Sequence, residues 1–273
     1  MKECTVYHTG VWSRTNGFIK NNLVYISREY QSLSIDEKVG ELCPPEGMFL
    51  AQEECECNLA QLKVNEKWGF VDIYTGEIKI APVWDYAGPF YQGYAHVALG
   101  AKIEYYGNQV EPYGGKNGYI DRFGQVIIPL DYYDAHDISV APIHQRATYF
   151  IVANKDMKWG MIDKQNRLII PMKWSHIINS YRGLFFCDIY SYVKSKWCVY
   201  DINGNMIIEP KFDCQPDGSY SSSYYLVQKN GRYGVLGKDG TLFEDTNLSK
   251  EDAKALIRGL EEKSELTFCD EEE

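Results

Sequence analysis

Short stretches of alternating apolar and polar residues recur along the chain. Residues 158–171 are KWGMIDKQNRLIIP, and residues 116–129 are KNGYIDRFGQVIIP. Alternation with a period of two is typical of a β-strand with one buried face. A polar turn separates two such stretches in each phrase, so each phrase predicts a β-hairpin.

An aromatic residue followed by glycine marks the start of each copy. The pair occurs as Trp68-Gly69, Trp159-Gly160 and Tyr233-Gly234, and Asn117-Gly118 and Trp197-Cys198 hold the same place with one residue altered. Successive copies begin 49, 42, 38 and 36 residues apart. Self-similarity at such a spacing is the signature of a repeat architecture. We expect the anchor aromatic to pack in the core and its glycine to let another backbone come close.

A tight turn is predicted inside each hairpin. Four copies carry aspartate four residues after the anchor, and a residue that tolerates positive φ follows it. The aspartates are Asp72, Asp121, Asp163 and Asp201, and the later residues are Gly76, Gly124, Asn166 and Gly204, while the fifth copy has Gly237 and Gly240. Aspartate first and glycine fourth suit a type I turn with a G1 bulge. We therefore interpret these aspartates as turn residues.

A proline and then an aromatic residue follow the second strand of each hairpin except the fifth. The prolines are Pro82, Pro129, Pro171 and Pro210, and the aromatics are Trp84, Tyr132, Trp174 and Phe212. Because proline cannot donate to a ladder, it ends the strand or lies at a sheet edge. The four aromatics are expected in loops, where they either pack or contact a partner. They are the candidate partner-binding residues.

A third strand is predicted before each anchor. The stretches are NLAQLKV, YAHVAL, TYFIVA, LFFCDIYSYV and YYLVQK. Because a lone hairpin is marginal in water, such units must stack to bury their faces. An aromatic content of 14% suits this all-β interpretation. Three strands per unit favour an open, solenoid-like array, and a β-propeller, with four strands per blade, is the alternative.

The phrases KWGFVDIYTGEIKIAP, KWGMIDKQNRLIIP and PLDYYD resemble the WG repeat family of bacterial β-rich proteins. The segment GPFYQGYAHV also resembles the linking segment of that family. The resemblance covers about residues 58–243. It implies an all-β repeat scaffold that acts as an interaction module, and it carries over no catalytic residues.

The N-terminal segment, residues 1–57, fits the repeat poorly. Residues 11–27 alternate around Asn16-Gly17 and Asn21-Asn22, which predicts one or two hairpins. Residues 34–45 have two interpretations. Ser34 and Glu37 form a capping box for a short helix that Pro44 and Pro45 would stop, or the segment is an eroded repeat.

The C-terminal segment, residues 244–273, predicts a helix. Ser249 and Asp252 form a capping box, and Ala253, Leu256, Ile257 and Leu260 share one helical face. We expect a helix over about residues 250–263 to cap the last repeat, and a free helix that binds a partner is the alternative. The acidic end, DEEE, is expected to be disordered.

Charge and hydropathy exclude several classes of protein. The net charge is -10, and residues 244–273 alone hold 11 acidic and 4 basic side chains. The sequence has no basic stripe of the kind that binds nucleic acid. It also has no run of 18 apolar residues that could span a membrane. With no signal-like N-terminus, the expected location is the cytoplasm, where the eight cysteines stay mainly reduced.

Little in the chain predicts chemistry. Common nucleotide, hydrolase and zinc-protease motifs are missing, and no small-molecule ligand is indicated. Cys55 and Cys57, or Asp134, His136, Asp137 and His144, are the metal candidates, but nothing in the sequence fixes their geometry. We therefore expect no cofactor and no metal.

The favoured function is a non-enzymatic scaffold for a protein partner. Carbohydrate or cell-wall binding through exposed aromatics is one alternative. An enzyme with a site in residues 1–57 or around His136 and His144 is the other.

Overall fold

The computed structural model describes residues 2–7, 14–27, 42–43, 58–72, 74–106, 109–136, 149–180, 183–189 and 195–269. These residues form two compact units. The first unit takes those of Met1–Ser139, Thr148–Met157 and Asp163–Arg167, and the second takes those of Lys158–Ile162 and Leu168–Glu273. The boundaries inferred from sequence at residues 57 and 243 stay predictions.

The first unit contains a seven-stranded antiparallel sheet. Its strands are β1 (Lys2–Tyr7), β2 (Arg14–Lys20), β3 (Leu23–Ser27), β4 (Leu42–Cys43), β5 (Leu59–Val64), β6 (Lys67–Asp72) and β7 (Ile78–Trp84), in the order β4-β3-β2-β1-β5-β6-β7. Because β1 pairs with β5, the N-terminal strands extend the sheet of the first repeat.

The N-terminal hairpin prediction is confirmed at one of its two turns. Asn21 and Asn22 lie between β2 and β3 with φ of 51° and 64°, as a two-residue hairpin turn requires. Asn16 and Gly17 lie within β2 instead. The segment with two interpretations, residues 34–45, lies outside the described residues except for β4.

The second sheet of the first unit explains the longest repeat spacing. It comprises β8 (Tyr86–Ala87), β9 (Tyr94–Leu99), β12 (Lys116–Asp121) and β13 (Val126–Tyr132), in the order β13-β12-β9-β8. A separate hairpin, β10 (Lys102–Tyr106) and β11 (Gln109–Tyr113), is inserted between β9 and β12. This insertion accounts for the 49 residues between the first two anchors. In the same unit β14 (Asp134–Ala135) pairs with β15 (Tyr149–Ala153).

The quoted phrase at residues 158–171 forms the predicted hairpin, β16 (Trp159–Asp163) and β17 (Leu168–Trp174). The second unit continues with β18 (His176–Asn179), β19 (Leu184–Ile189), β20 (Lys196–Asp201) and β21 (Met206–Phe212), which form a four-stranded sheet in that order. The strands β22 (Tyr224–Lys229), β23 (Arg232–Gly237) and β24 (Leu242–Leu248) form a three-stranded sheet.

Three copies have one strand more than the sequence predicted. The extra strand follows the post-proline aromatic and pairs with the next strand, as Tyr86 does with Ala98, Asp134 with Ala153 and His176 with Asp188. The all-β repeat fold is confirmed. Because a propeller blade also has four strands, the open array stays a prediction.

Hydrophobic clusters join neighbouring sheets within each unit. In the first unit Trp68 and Phe70 of β6 share a cluster with Phe90 and with Ile120 of β12. In the second unit Phe186 of β19 and Tyr225 of β22 share another, with ring centroids 5.0 Å apart. Within each unit the sheets therefore stack as predicted, because each repeat covers an apolar face that the neighbouring repeat cannot bury alone.

The C-terminal helix, α1 (Lys250–Cys269), is six residues longer than predicted. Ser249 caps it, since its Oγ accepts a hydrogen bond from the Asp252 backbone N–H at 3.1 Å. Ala253 and Ile257 pack against Leu226 and Val235 of the last sheet. The capping position is thus confirmed, and the apolar face of the helix is covered. The DEEE end lies outside the described residues.

Candidate functional site

The hairpin aspartates hold the turns. The Asp201 carboxylate accepts backbone hydrogen bonds from Asn203 at 2.9 Å and from Asn205 at 2.8 Å. The backbone N–H of Gly204 donates to the Asp201 carbonyl at 3.1 Å, and Gly204 has φ of 82°. Asp121 and Asp163 make the same contacts in their own turns. The turn prediction is confirmed, and these carboxylates are engaged by their own loops.

The Asp163 carboxylate has an additional partner, because the Nε of Arg167 lies 2.6 Å from its Oδ2. Desolvation acts to raise the pKa of Asp163, but the hydrogen bonds from Arg167 and Gln165 outweigh it, so the pKa is lowered from the ordinary value. The charged form is therefore the one that the turn stabilises.

The anchor glycines permit the close approach that the sequence predicts. A Cβ on Gly69 would lie 2.4 Å from the Ile80 carbonyl oxygen, and one on Gly118 would lie 2.5 Å from that of Ile128. Each contact is with the second strand of the same hairpin. No side chain fits there without a backbone shift.

The candidate partner-binding aromatics end the second strands of the hairpins and do not lie in loops. Each lies opposite its own anchor: Trp84 opposite Trp68, Tyr132 opposite Asn117, Trp174 opposite Trp159, and Phe212 opposite Trp197.

Three of these aromatics have little or no surface to offer a partner. Trp174 and Phe212 are 0% exposed and Trp84 is 9% exposed, so these three rings have the packing role. Tyr132 is half-buried, and its hydroxyl lies 2.5 Å from Oδ1 of Asn166 in a turn.

An apolar residue recurs where the second strand of each hairpin begins, and it is exposed in three of the five copies. The residue is apolar in all five copies: Ile78, Val126, Leu168, Met206 and Leu242. Val126, Leu168 and Met206 are 47%, 54% and 39% exposed. The sequence carried a signal for this position, since the residue stands nine places after the anchor in four copies and ten in the first. The strand alternation alone did not show which apolar residues face solvent.

In the second unit each turn lies against the second strand of the preceding hairpin. Gly204 lies so close to β17 that a Cβ would stand 2.4 Å from the Ile169 carbonyl oxygen. A Cβ on Gly240 would likewise lie 2.7 Å from Cδ1 of Ile207. Each turn therefore touches the second strand of the preceding hairpin. We call the exposed residues beside these contacts, Leu168, Met206, Ile207 and Phe243, the apolar turn edge.

A polar cluster lies elsewhere in the second unit. The buried carboxylate of Asp188 lies 2.9 Å from Nδ1 of His176 and 3.2 Å from Oγ of Ser195. In a hydrolase triad the histidine lies between the serine and the carboxylate, whereas here the carboxylate lies between the other two groups. The cluster therefore does not have the order of a hydrolase triad.

A second polar cluster is buried in the first unit. His96 and Asn117 are joined at 2.9 Å, and the Asn117 amide donates to the carbonyls of Gly114 and Tyr133. Asn117 thus holds the anchor position of its copy with hydrogen bonds in place of an aromatic ring.

Within the described ranges no group of three or more His, Cys, Asp and Glu side chains could hold a metal ion. Cys55, Cys57, Asp137 and His144 lie outside those ranges. The described helix does not have the apolar length that a membrane span needs.

The stacked hairpins with a repeated aromatic-Gly anchor define an all-β repeat protein. The WG containing repeat matches residues 68–102, 118–139, 159–186 and 197–233. These ranges contain four of the five anchor residues, and in the remaining copy the match begins at Gly118, beside Asn117. The chain belongs to the WG repeat family.

Some solved structures resemble this fold at low identity. A eukaryotic initiation factor is 12% identical over 90% of this chain and 63% of that chain, with a TM-score of 0.42. A nidogen/laminin complex is 10% identical over 91% of this chain and 80% of that chain, with a TM-score of 0.28. Apo AztD from Citrobacter koseri is 13% identical over 85% of this chain and 70% of that chain, with a TM-score of 0.26. No curated protein matches the sequence.

Proposed function

We propose that this protein is a non-enzymatic scaffold that binds a protein partner through the apolar turn edge. The observation that supports the proposal is an apolar side chain that recurs at one repeat position and is exposed in three of the five copies. Exposed apolar side chains that are grouped, in contrast to scattered ones, mark interaction surfaces. Surfaces of this kind supply the apolar centre of protein interfaces.

The geometry of the turn edge suits such an interface. The turns are held rigidly by the aspartate hydrogen bonds and by glycine contacts with the preceding strand. A rigid surface loses little conformational entropy when a partner binds. Charged groups border the edge, including Lys211 and Asp245, which are 2.9 Å apart, so a polar rim is present.

A paired substitution tests the proposal. The full-length protein, its Leu168→Glu/Met206→Glu variant and a Val83→Glu control are used as bait in a lysate of the source cell. Val83 is the matched control because its exposed fraction, 53%, is similar to the 54% of Leu168, but it belongs to β7 of the first unit. We expect wild type and Val83→Glu to capture the same protein, and the double variant to bind it at least about tenfold more weakly.

Equal capture by all three proteins would contradict the turn-edge proposal. A glycan array provides the second arm. Specific binding of wild type to glycans, reduced by the double variant, would support the carbohydrate alternative in place of a protein partner.

We also propose a cytoplasmic location in a bacterial cell. Cys187 and Cys198 lie directly opposite each other in the ladder of β19 and β20, and both are free thiols. Opposed thiols persist most readily in a reducing compartment. Fractionation of the source cell with an antibody to the protein tests this location, and recovery outside the cytoplasm would contradict it.

A further inference from the structure

The second strands of the five hairpins differ in how well their outer edges are protected. Each lies at the end of the strand order of its sheet. Four of them contain proline: β7, β13, β17 and β21. Proline on an edge strand blocks pairing with another chain. The fifth, β24, has the sequence LFEDTNL and lacks this protection.

Burial separates β24 from the same four strands. Each of the others contains at least one buried residue, such as Ile80, Ile128, Ile170 or Ile208. Every residue of β24 is at least partly exposed, and Phe243, Asp245 and Asn247 are exposed at alternate positions. This edge strand therefore has a backbone without proline, of which the Asn247 carbonyl accepts a hydrogen bond from Arg232, and side chains that a further strand could cover.

The first repeat shows how such an edge accepts an extended segment. The backbone N–H of Val24 donates to the Gly76 carbonyl at 2.7 Å, and the Ile78 N–H donates to the Asn22 carbonyl at 3.2 Å. Leu23 and Glu77 form the antiparallel bridge between them. Ile78, at the start of β7, packs against the cluster that contains Val24. In this copy the chain itself places a single antiparallel bridge at the start of a second hairpin strand.

The corresponding place in the last repeat has no such segment among the described strands. Leu242 lies opposite Leu236 as Ile78 lies opposite Val71, so Leu242 is the counterpart of Ile78. No described strand pairs with the outer side of β24.

The charge of this region indicates the chemistry of the occupant. Residues 242–252 contain Glu244, Asp245, Glu251 and Asp252 but only one base, Lys250. Lys211 pairs with Asp245 from the neighbouring hairpin, and Arg232 of β23 contacts the Asn247 carbonyl. With these two bases and Lys250 counted against the four acids, the edge keeps a net charge of -1. The whole segment 244–273 has 11 acidic and 4 basic side chains. An acidic edge attracts a basic partner and disfavours an acidic one.

We propose that β24 accepts an extended segment of a partner protein, with lysine or arginine alternating with apolar residues, which adds to the sheet as a further strand. Main-chain hydrogen bonds provide the affinity in this mode, and alternate side chains provide the specificity. The apolar side chains would cover Phe243. This inference rests on the proposed function, because it names the kind of segment that the scaffold takes.

A substitution copied from the other repeats tests the proposal. A Cβ on Gly234 would lie 2.7 Å from the Thr246 nitrogen, as one on Gly69 would lie 2.6 Å from the Pro82 nitrogen. Thr246 thus has the place of the repeat proline, and Thr246→Pro should fold. Thr246→Ala is the matched control, because it removes the same side chain but keeps the backbone N–H.

The probe is a fluorescent peptide of about eight residues, a strand length, with lysine and valine alternating. Its affinity for the full-length protein is measured by fluorescence anisotropy. We expect wild type and Thr246→Ala to bind equally, and Thr246→Pro to bind at least about tenfold more weakly. A matched glutamate–valine peptide, and a lysine–valine peptide with a central proline, should bind at least about tenfold more weakly to wild type.

Hydrogen exchange of the wild-type protein provides a measurement that needs no variant. The lysine–valine peptide should slow amide exchange in residues 242–248. Binding without slower exchange there, or equal binding by Thr246→Pro and Thr246→Ala, would overturn strand addition. Equal binding of the acidic peptide would overturn the basic occupant. If the turn-edge variant loses its captured protein while these peptide results fail, only the strand-addition proposal falls.

Discussion

The contact between successive turns and strands can be measured at Gly204. Its φ of 82° is strained for alanine, which costs about 1–2 kcal/mol. A Cβ there would also lie 2.4 Å from the Ile169 carbonyl oxygen and 2.6 Å from its Cγ2. Because one of these atoms is backbone, relief requires the neighbouring strand to shift, which adds about 1–3 kcal/mol. We therefore expect Gly204→Ala to lose about 2–5 kcal/mol of unfolding free energy.

Gly231→Ala separates the two contributions. Gly231 has a φ of 74°, and a Cβ added there would meet no atom within 4 Å. It should therefore lose only the conformational part, about 1–2 kcal/mol. Both glycines lie in the second unit, so urea unfolding followed by tryptophan fluorescence compares them directly. With an m-value of about 1–3 kcal/mol/M, the midpoints should differ by roughly 1 M. Equal midpoints would refute the idea that turns and neighbouring strands are locked together.

Three further predictions concern pH, the cap and the buried amide. The pKa of Asp163 is lowered in the folded state. The stability advantage of wild type over Asp163→Asn should therefore be complete above about pH 5 and should shrink as pH falls below the unfolded pKa, about 3.9. Urea midpoints from pH 7 to pH 2 check this, and a constant difference would contradict it. Ile257→Ala should cost about 2–5 kcal/mol, because its side chain is 2% exposed against the last sheet, whereas exposed Arg258→Ala should change urea stability by no more than about 0.5 kcal/mol. Asn117→Leu should cost about 1–3 kcal/mol in the same assay, since it leaves His96 and two carbonyls without the amide; a neutral result would show that the cluster does not stabilise the fold.

The hairpins could be predicted because their causes are local. Asp201 and Gly204 specify a turn through φ and a side-chain-to-backbone hydrogen bond, both of which lie within four residues. The proline prediction held for a similar reason, since a missing N–H restricts Pro171 or Pro210 to an edge strand in any fold. The capping box of Ser249 is equally local. None of these interactions depends on which distant segment lies nearby.

The short fourth strands could not be predicted, because Tyr86–Ala87 and Asp134–Ala135 are too short to show a period. The pairing of β1 with β5 joins residues that are far apart in sequence, and no local pattern encodes that choice. The burial of Trp174 and Phe212 also depended on the neighbouring strand. A post-proline aromatic has the same local sequence whether it faces a core or a partner.

The sequence by itself therefore determined the repeated hairpin with its turn and its close-packed glycine, and also the C-terminal helix. Each of these follows from backbone conformation and hydrogen bonding over a few residues. The tertiary structure decided which apolar side chains are covered. Ile78 packs beside the N-terminal strand, whereas Val126, Leu168 and Met206, at the same repeat position, remain in solvent. The difference is physical: local chemistry selects the conformation of a strand, but only the segments that pack against it determine which of its faces stays open for a partner.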